Sequence, residues 1–351
     1  MCATDLLSVA CEGIGDRIDI GAEALRIADT SENIEALAMT YSQRALFLEQ
    51  QGRYREAIDL SEGVLDRARG ARLSLMTVYP RWALGKALCC VGEYGRSLAV
   101  FRKALEDTDR CGDRSLTARL LNTLGWVHSE VNDYDGAREY NERGEVLASE
   151  MVKLELVAGA PELHANAASN LANDFTALGA PERAIDLLEP FDEELGQAGD
   201  PWQRWRWAPH SYDGLARARL AQGDPEAAIA WTDRELELAR THHAKKIEAR
   251  GLELRGRALA TMDLRDEAEQ AIRASLKLAE AIGYQPVIWR ADALLIELAR
   301  RSGNAPEAER RATKVRRRLE AAANRLQEEK LQLRLRTLAE ALIADPLGAY
   351  R

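Results

Sequence analysis

The chain has 351 residues, 46% hydrophobic and 30% charged, with a formal charge of −9. That balance is typical of a folded chain rather than a disordered one, and its acidity excludes nucleic-acid binding through the surface as a whole. No run approaches the roughly 18 apolar residues of a membrane helix, and Met1–Ala10 lacks the basic start and apolar core of a signal peptide, so the expected location is cytoplasmic.

The N-terminus opens with a short helical stretch, Thr4–Glu12, then Gly13-Ile14-Gly15-Asp16 and a second helix carrying Ile18, Ala22, Leu25 and Ala28. This is an imperfect first unit over 1–30. A punctuated pattern, Gly-x-Tyr/Pro-x-x-Ala, then recurs down the chain. It runs Gly52-Arg53-Tyr54-Arg55-Glu56-Ala57, Gly92 to Ser97, Asn132 to Ala137, Gly179 to Ala184, Gly223 to Ala228, Asp263 to Ala268 and Gly303 to Ala308. The closing small residues fall at 57, 97, 137, 184, 228, 268 and 308, at intervals of 40, 40, 47, 44, 40 and 40. A fixed period of 20–50 residues indicates a solenoid or propeller.

The residue types at each turn fit a helix-turn-helix. Gly, Asn or Asp takes the left-handed conformation that ends one helix. Pro181 and Pro225 open the next, where a missing N–H costs nothing. Helical spacing flanks the turns, as in Ala57, Ile58, Leu60, Val64, Leu65 and Ala68, and no sustained two-residue alternation calls for strands. The intervals of 47 and 44 place extra residues near Met151–Pro161 and Leu195–Pro209, as irregular loops or overlong helices. Gln327–Ile343 reads as one last helix.

On these residues the chain resembles the tetratricopeptide repeat family. That family has a Leu and a small residue in the first helix of each repeat, twelve positions before the turn Ala. Leu84-Gly85, Leu124-Gly125 and Leu171-Ala172 match; Ala216 and Gly256 match the small residue alone; Ile296 departs. The period of about 40 exceeds the commoner 34. It resembles the longer-helix variant of kinesin light chains, bacterial peptide-sensing regulators and the C-terminal arms of bacterial ATPase- or cyclase-type regulators. The resemblance implies an all-α, right-handed α-solenoid: seven repeats over 31–325, a capping helix over 326–345 and a tail at 346–351.

It also implies a concave groove lined by the first helices, eighteen, fifteen, eleven and eight positions before each turn Ala. The candidates are Tyr79, Trp82 and Lys86; Arg119, Asn122 and Trp126; Asn166 and Asn173; His210, Asp213 and Arg217; and Arg250, Glu253 and Arg257. Asn side chains can pair with both the C=O and N–H of an extended segment, and Trp supplies contact area at low entropy cost. Asn122, Asn166 and Asn173 would then hold a ligand's backbone and Tyr79, Trp82 and Trp126 its side chains. In the competing reading the Trp residues pack between helices and the Asn residues are merely solvated. The expected partner is a protein or peptide, with self-association left open. The Lys and Asn set by which some relatives clamp a chaperone tail is absent as a set.

Two features allow an alternative, nucleic-acid-associated reading: the Trp/Arg segment 202–207, and 310–336, which holds ten Lys or Arg against three Glu. A solvated helix face is the simpler account of the second. Cys2, Cys11, Cys89, Cys90 and Cys111 fit neither a zinc site nor a disulfide framework. No phosphate loop, nucleophile elbow or zinc helix is present. The expectation is a non-enzyme without metal or cofactor.

Overall fold

In a computed structural model, residues 25–27, 29–30, 34–68, 75–154, 160–197 and 201–348 are described. The imperfect unit expected over 1–30 lies almost wholly outside them. From Ile34 to Ala344 the chain forms seven helix pairs and a final helix. The pairs are α1 (Ile34–Gln50) with α2 (Tyr54–Arg67), α3 (Leu75–Cys90) with α4 (Tyr94–Cys111), and α5 (Arg114–Glu130) with α6 (Tyr134–Lys153). Then come α7 (Ala160–Ala177) with α8 (Pro181–Gln197), α9 (Pro201–Ala221) with α10 (Pro225–Thr241), and α11 (Lys245–Thr261) with α12 (Arg265–Ile282). The last pair is α13 (Gln285–Arg301) with α14 (Ala305–Ala323), followed by α15 (Glu329–Ala344).

The seven turn residues of the ladder all adopt positive φ: Gly52, Gly92, Asn132, Gly179, Gly223, Asp263 and Gly303, between 59° and 83°. This ends each first helix in the left-handed conformation. Side-chain caps start α10 and α14: Asp224 Oδ1 accepts from the Ala227 N–H and Asn304 Oδ1 from the Glu307 N–H. The small residues closing the turns are fully buried from Ala57 to Ala268, and Ala308 nearly so. Ser97 fits this series because its Oγ donates to the Gly85 carbonyl at 2.7 Å.

The small residue twelve positions earlier has an equally direct cause. A Cβ on Gly85 would lie 2.5 Å from the Phe101 ring, and one on Gly256 2.5 Å from Ile272 Cγ1. In each case the facing residue lies sixteen positions on. The same spacing from Ile296 reaches Ala312, and both are buried in one core cluster. The last pair thus exchanges large and small across the helix contact, which keeps the volume constant.

Part of the extra length in the long intervals is helix. α6 has 20 residues and α9 has 21, with Pro209 inside α9; residues 155–159 and 198–200 lie outside the description. Each first helix packs on the next first helix, from α1 through α13, so these seven make a continuous inner wall.

The wall also returns on itself. α11 packs on α1, where Lys246 and the buried Glu49 form an ion pair. Arg290 of α13 meets Glu130 of α5 at 2.8 Å. Tyr54 and Tyr284 bring their ring centroids to 6.1 Å, and a Cβ on Gly52 would strike Ile282 at 2.6 Å. Farther on, Arg325 meets Glu93 at 2.9 Å, Glu328 meets Arg102 at 2.6 Å, and Lys330 meets Asp133 at 2.9 Å. The C-terminal helices therefore lie over the turn edge of the N-terminal ones, and a single core cluster spans both.

Candidate functional site

The inner wall encloses a groove of about 1300 Å³, part of it continuous with solvent, to which all seven first helices contribute. Side chains reach this face because residues three, four and seven apart share one side of a helix. Of the residues expected from the sequence, Trp82, Lys86, Arg119, Asn122, Trp126, Asn166, Asn173, His210, Asp213, Arg217 and Arg250 line it. Tyr79, Glu253 and Arg257 stand outside. Tyr79 packs edge-on against Trp82, with ring centroids at 6.4 Å. Glu253 is buried, and Arg257 donates to the Leu347 carbonyl at 2.6 Å.

In the groove, two cations flank one indole. Lys86 Nζ lies 5.3 Å and the Arg119 guanidinium 5.0 Å from the Trp82 ring centroid. The Trp82 Nε1–H donates to Thr123 Oγ1 at 3.0 Å, which fixes the ring. Lys246 Nζ lies 4.8 Å from the Trp126 ring, whose Nε1–H donates to Glu130 at 3.1 Å. Glu49, behind the wall, lies 3.7 Å from Lys86 and also pairs with Lys246. Burial opposes the charge on Lys246, yet its surroundings, Cys90 and Glu49 among them, raise its pKa above the ordinary lysine value.

One turn along α11 from Lys246, Arg250 meets Asp213, which is fully buried between two guanidiniums, Arg217 at 2.8 Å and Arg250 at 2.6 Å. Burial works against its charge, but the two guanidiniums hold its carboxyl well below the usual carboxylate range. Nearby Glu235 is the opposite case: burial pushes its carboxyl well above the usual range.

Asn122, Asn166, Asn170 and Asn173 line the groove. Asn170 Nδ2 donates to Asn122 Oδ1 at 2.7 Å, so these two amides already pair across adjacent helices. Beneath them Asp174 accepts from Ser129 Oγ and from Asn141 Nδ2, both at 2.6 Å. Burial pushes its carboxyl up to about 7.

Sequence reasoning missed Lys246, Glu130 and Asn170. Lys246 sits one helical turn before the position eighteen ahead of Ala268, so the helix period could have found it. Asn170 and Glu130 each lie one position from an expected site.

The two features outside the groove are both built into the structure. The segment 202–207 forms the start of α9; of its side chains only that of Trp207 is described, and it is buried against Phe191 and Tyr212. The basic stretch 310–336 spans α14 and α15 rather than one helix. Its cations meet acidic groups: Arg311 with Asp292, Arg316 with Glu340, Arg325 with Glu93, Lys330 with Asp133 and Arg336 with Glu320. Cys89 and Cys90 are buried free thiols, both with pKa values raised by burial.

Two models of the tetratricopeptide repeat match, over residues 75–145 and 37–71. The matched stretches are tetratricopeptide repeats, and the described fold is of that repeat type throughout. No curated protein matches it in sequence. Solved structures similar to this repeat protein in fold include NprR in complex with its cognate peptide NprX, at 12% identity, a TM-score of 0.63, and coverage of 94% of this chain and 95% of that one. A Rap protein complexed with competence and sporulation factor has 14% identity, a TM-score of 0.61, and coverage of 96% and 94%. The Rap conjugation gene regulator of plasmid pLS20, in complex with the Phr* peptide, has 16% identity, a TM-score of 0.60, and coverage of 84% and 78%. Among the described residues no helix is long and apolar enough to cross a membrane, and no cluster of three His, Cys, Asp or Glu side chains is set to hold a metal ion.

Proposed function

We propose that this tetratricopeptide repeat chain is a non-catalytic scaffold or sensor arm of a bacterial, cytoplasmic regulatory system, and that it binds a peptide or protein segment in its concave groove. One observation supports this above the others. Seven helices, spread over more than 200 residues of sequence, direct cations, amides and two indoles at one groove. A groove of this size, walled by rigid helices, suits an extended or helical segment. The similar folds of NprR and the Rap proteins, solved with peptides, support the reading by analogy of fold.

Trp126 and Asn166 are the positions to test. The double substitution Trp126→Ala/Asn166→Ala should weaken a groove-bound partner at least tenfold, since a buried aromatic anchor is worth about 2 kcal/mol or more. Unchanged affinity in a folded double variant would refute the groove as the binding face.

A further inference from the structure

One buried carboxylate interrupts an otherwise apolar row. Ten residues before the turn Ala or Ser, six of the seven pairs place Phe47, Ala87, Val127, Ala218, Ala258 or Leu298, all buried. The fourth pair places Asp174 there, fully buried. Its partner Asn141 breaks a second apolar position. Asn141 faces Gly125 as Phe101 faces Gly85 and Ile272 faces Gly256, sixteen residues on in each case. An ionisable group in a core costs stability that an apolar residue would not, and departures of this kind concentrate at functional sites.

Both donors to Asp174 are neutral, Ser129 Oγ and Asn141 Nδ2, at 2.6 Å each. Ser129 also lines the groove. A hydroxyl has one proton to donate. While Asp174 is ionised, the Ser129 proton is committed to it, and Ser129 offers the groove only lone pairs. Once Asp174 is protonated, its own O–H donates to Ser129 Oγ, and the Ser129 proton turns to the groove. The second state is within reach near neutral pH, since burial raises the carboxyl to about 7. The charges on the elements around Asp174 leave it room to titrate. On α6 these are Arg138 and Glu142, one of each sign, together with Tyr134. On α5 Glu130 is paired with Arg290. α8 joins the α7 core through Ala184, Ile185 and Leu188. On α9 Asp213 is paired with Arg217, and His210 lines the groove. The other ionisable groups of α7, Glu162 and His164, lie ten or more residues before Asp174.

We infer that Asp174 and Ser129 form a proton switch under the groove, by which the chain holds a peptide more tightly as pH falls through neutrality. This rests on the groove being the binding face. The direction follows from two effects of a ligand. It excludes water from the groove, which disfavours the ionised carboxylate. A backbone carbonyl placed over Ser129 then accepts the hydroxyl proton that protonation of Asp174 frees. By reciprocity, a ligand that favours the protonated form is itself favoured by protonation.

The test is selection from a random twelve-residue peptide library on the full chain, at pH 6 and physiological salt. Affinities of the synthesised winners are then measured from pH 6 to pH 8.5 for the wild type, Asp174→Asn, Ser129→Ala and Trp126→Ala/Asn166→Ala. The inference expects the wild type to lose about fivefold in affinity across that range, since one unit of pKa shift on binding carries at most about tenfold. Asp174→Asn, which stays neutral, should hold the tighter level throughout, and Ser129→Ala should stay near the weaker one. His210 remains in Asp174→Asn, so a pH dependence that persists there would overturn the switch. A wild-type affinity that is flat or rises with pH would overturn it too. Ser129→Ala removes the relay alone and keeps the test decisive if Asp174→Asn is unstable: full wild-type pH dependence in Ser129→Ala overturns the switch. In each of these cases, binding that falls in Trp126→Ala/Asn166→Ala leaves the groove standing. Winners insensitive to that double variant would overturn the groove itself.

Discussion

The return of the C-terminal helices onto the N-terminal ones can be measured at one ion pair. Arg290 and Glu130 are 160 residues apart in sequence, meet at 2.8 Å, and have side chains only 9% and 8% exposed. Arg290→Met leaves the Glu130 carboxylate buried with the Trp126 Nε1–H still donating to it. Removing one partner of a buried pair costs about 3 kcal/mol, and the remaining indole bond keeps the loss near that lower figure. Glu130→Gln keeps the indole bond and replaces the charged partner of Arg290 by a neutral one, at about 2 kcal/mol. The double substitution removes both charges, so the two losses overlap and the cycle should return a coupling of about 2 kcal/mol. Native-state hydrogen exchange suits the assay, because it reads α5 and α13 separately in an array that need not unfold in one step. In an open solenoid each repeat feels only its neighbours. Losses that add within about 0.5 kcal/mol, with each confined to its own helix, would refute the closure.

The same closure predicts a contrast between two left-handed glycines. Gly112→Ala meets nothing within 4 Å and should cost only the backbone strain, about 1 kcal/mol, whereas Gly52→Ala adds a clash with Ile282 at 2.6 Å and should cost at least about 1 kcal/mol more in urea unfolding. Equal losses would contradict the contact. Asp174 predicts a pH effect. Burial raises its folded pKa to about 7, above the unfolded value of about 3.9. The folded state therefore binds the extra proton, and this contribution is fully present below about pH 4 and is lost as pH rises through about 7. Ser129, Asn141, Arg138 and Glu142 face it, and Asp174→Asn should flatten the fall in stability across that range. Asp133 runs the other way: its bond with His128 and its ion pair with Lys330 lower it to about 2, so its contribution is present above about pH 4 and is lost as pH falls through about 2. Asp133→Asn should remove that acid-side fall, measured by thermal melts between pH 2 and 5.

The repeats were legible because their causes are local. A positive φ at Asn132 or Asp263 and a buried Ala four residues into the next helix follow from residues within a single turn. The groove face followed too, since helical spacing carries Trp82, Asn122 and Asp213 to one side of their helices. The closure left no such trace. Glu49 and Lys246 lie 197 residues apart, and a repeat pattern specifies how neighbours pack, not how many complete a superhelical turn. For the same reason the basic run at 310–336 reads as an open patch in sequence, while its partners Glu93 and Asp133 wait on turns about 200 residues earlier. Tyr79 and Arg257 were misplaced because a family position gives a direction along the helix but not the neighbour that intercepts the side chain. Trp82 covers Tyr79, and the carbonyl of Leu347 captures Arg257.

The most direct test of the central claim is indole N–H spectroscopy of the full chain while the tightest peptide from the library is added to saturation. The seven Trp resonances are assigned by single Trp→Phe substitutions. Groove binding predicts that Trp82 and Trp126 shift and that Trp289, 2% exposed in the core, does not. Saturation that leaves Trp82 and Trp126 unmoved would contradict it.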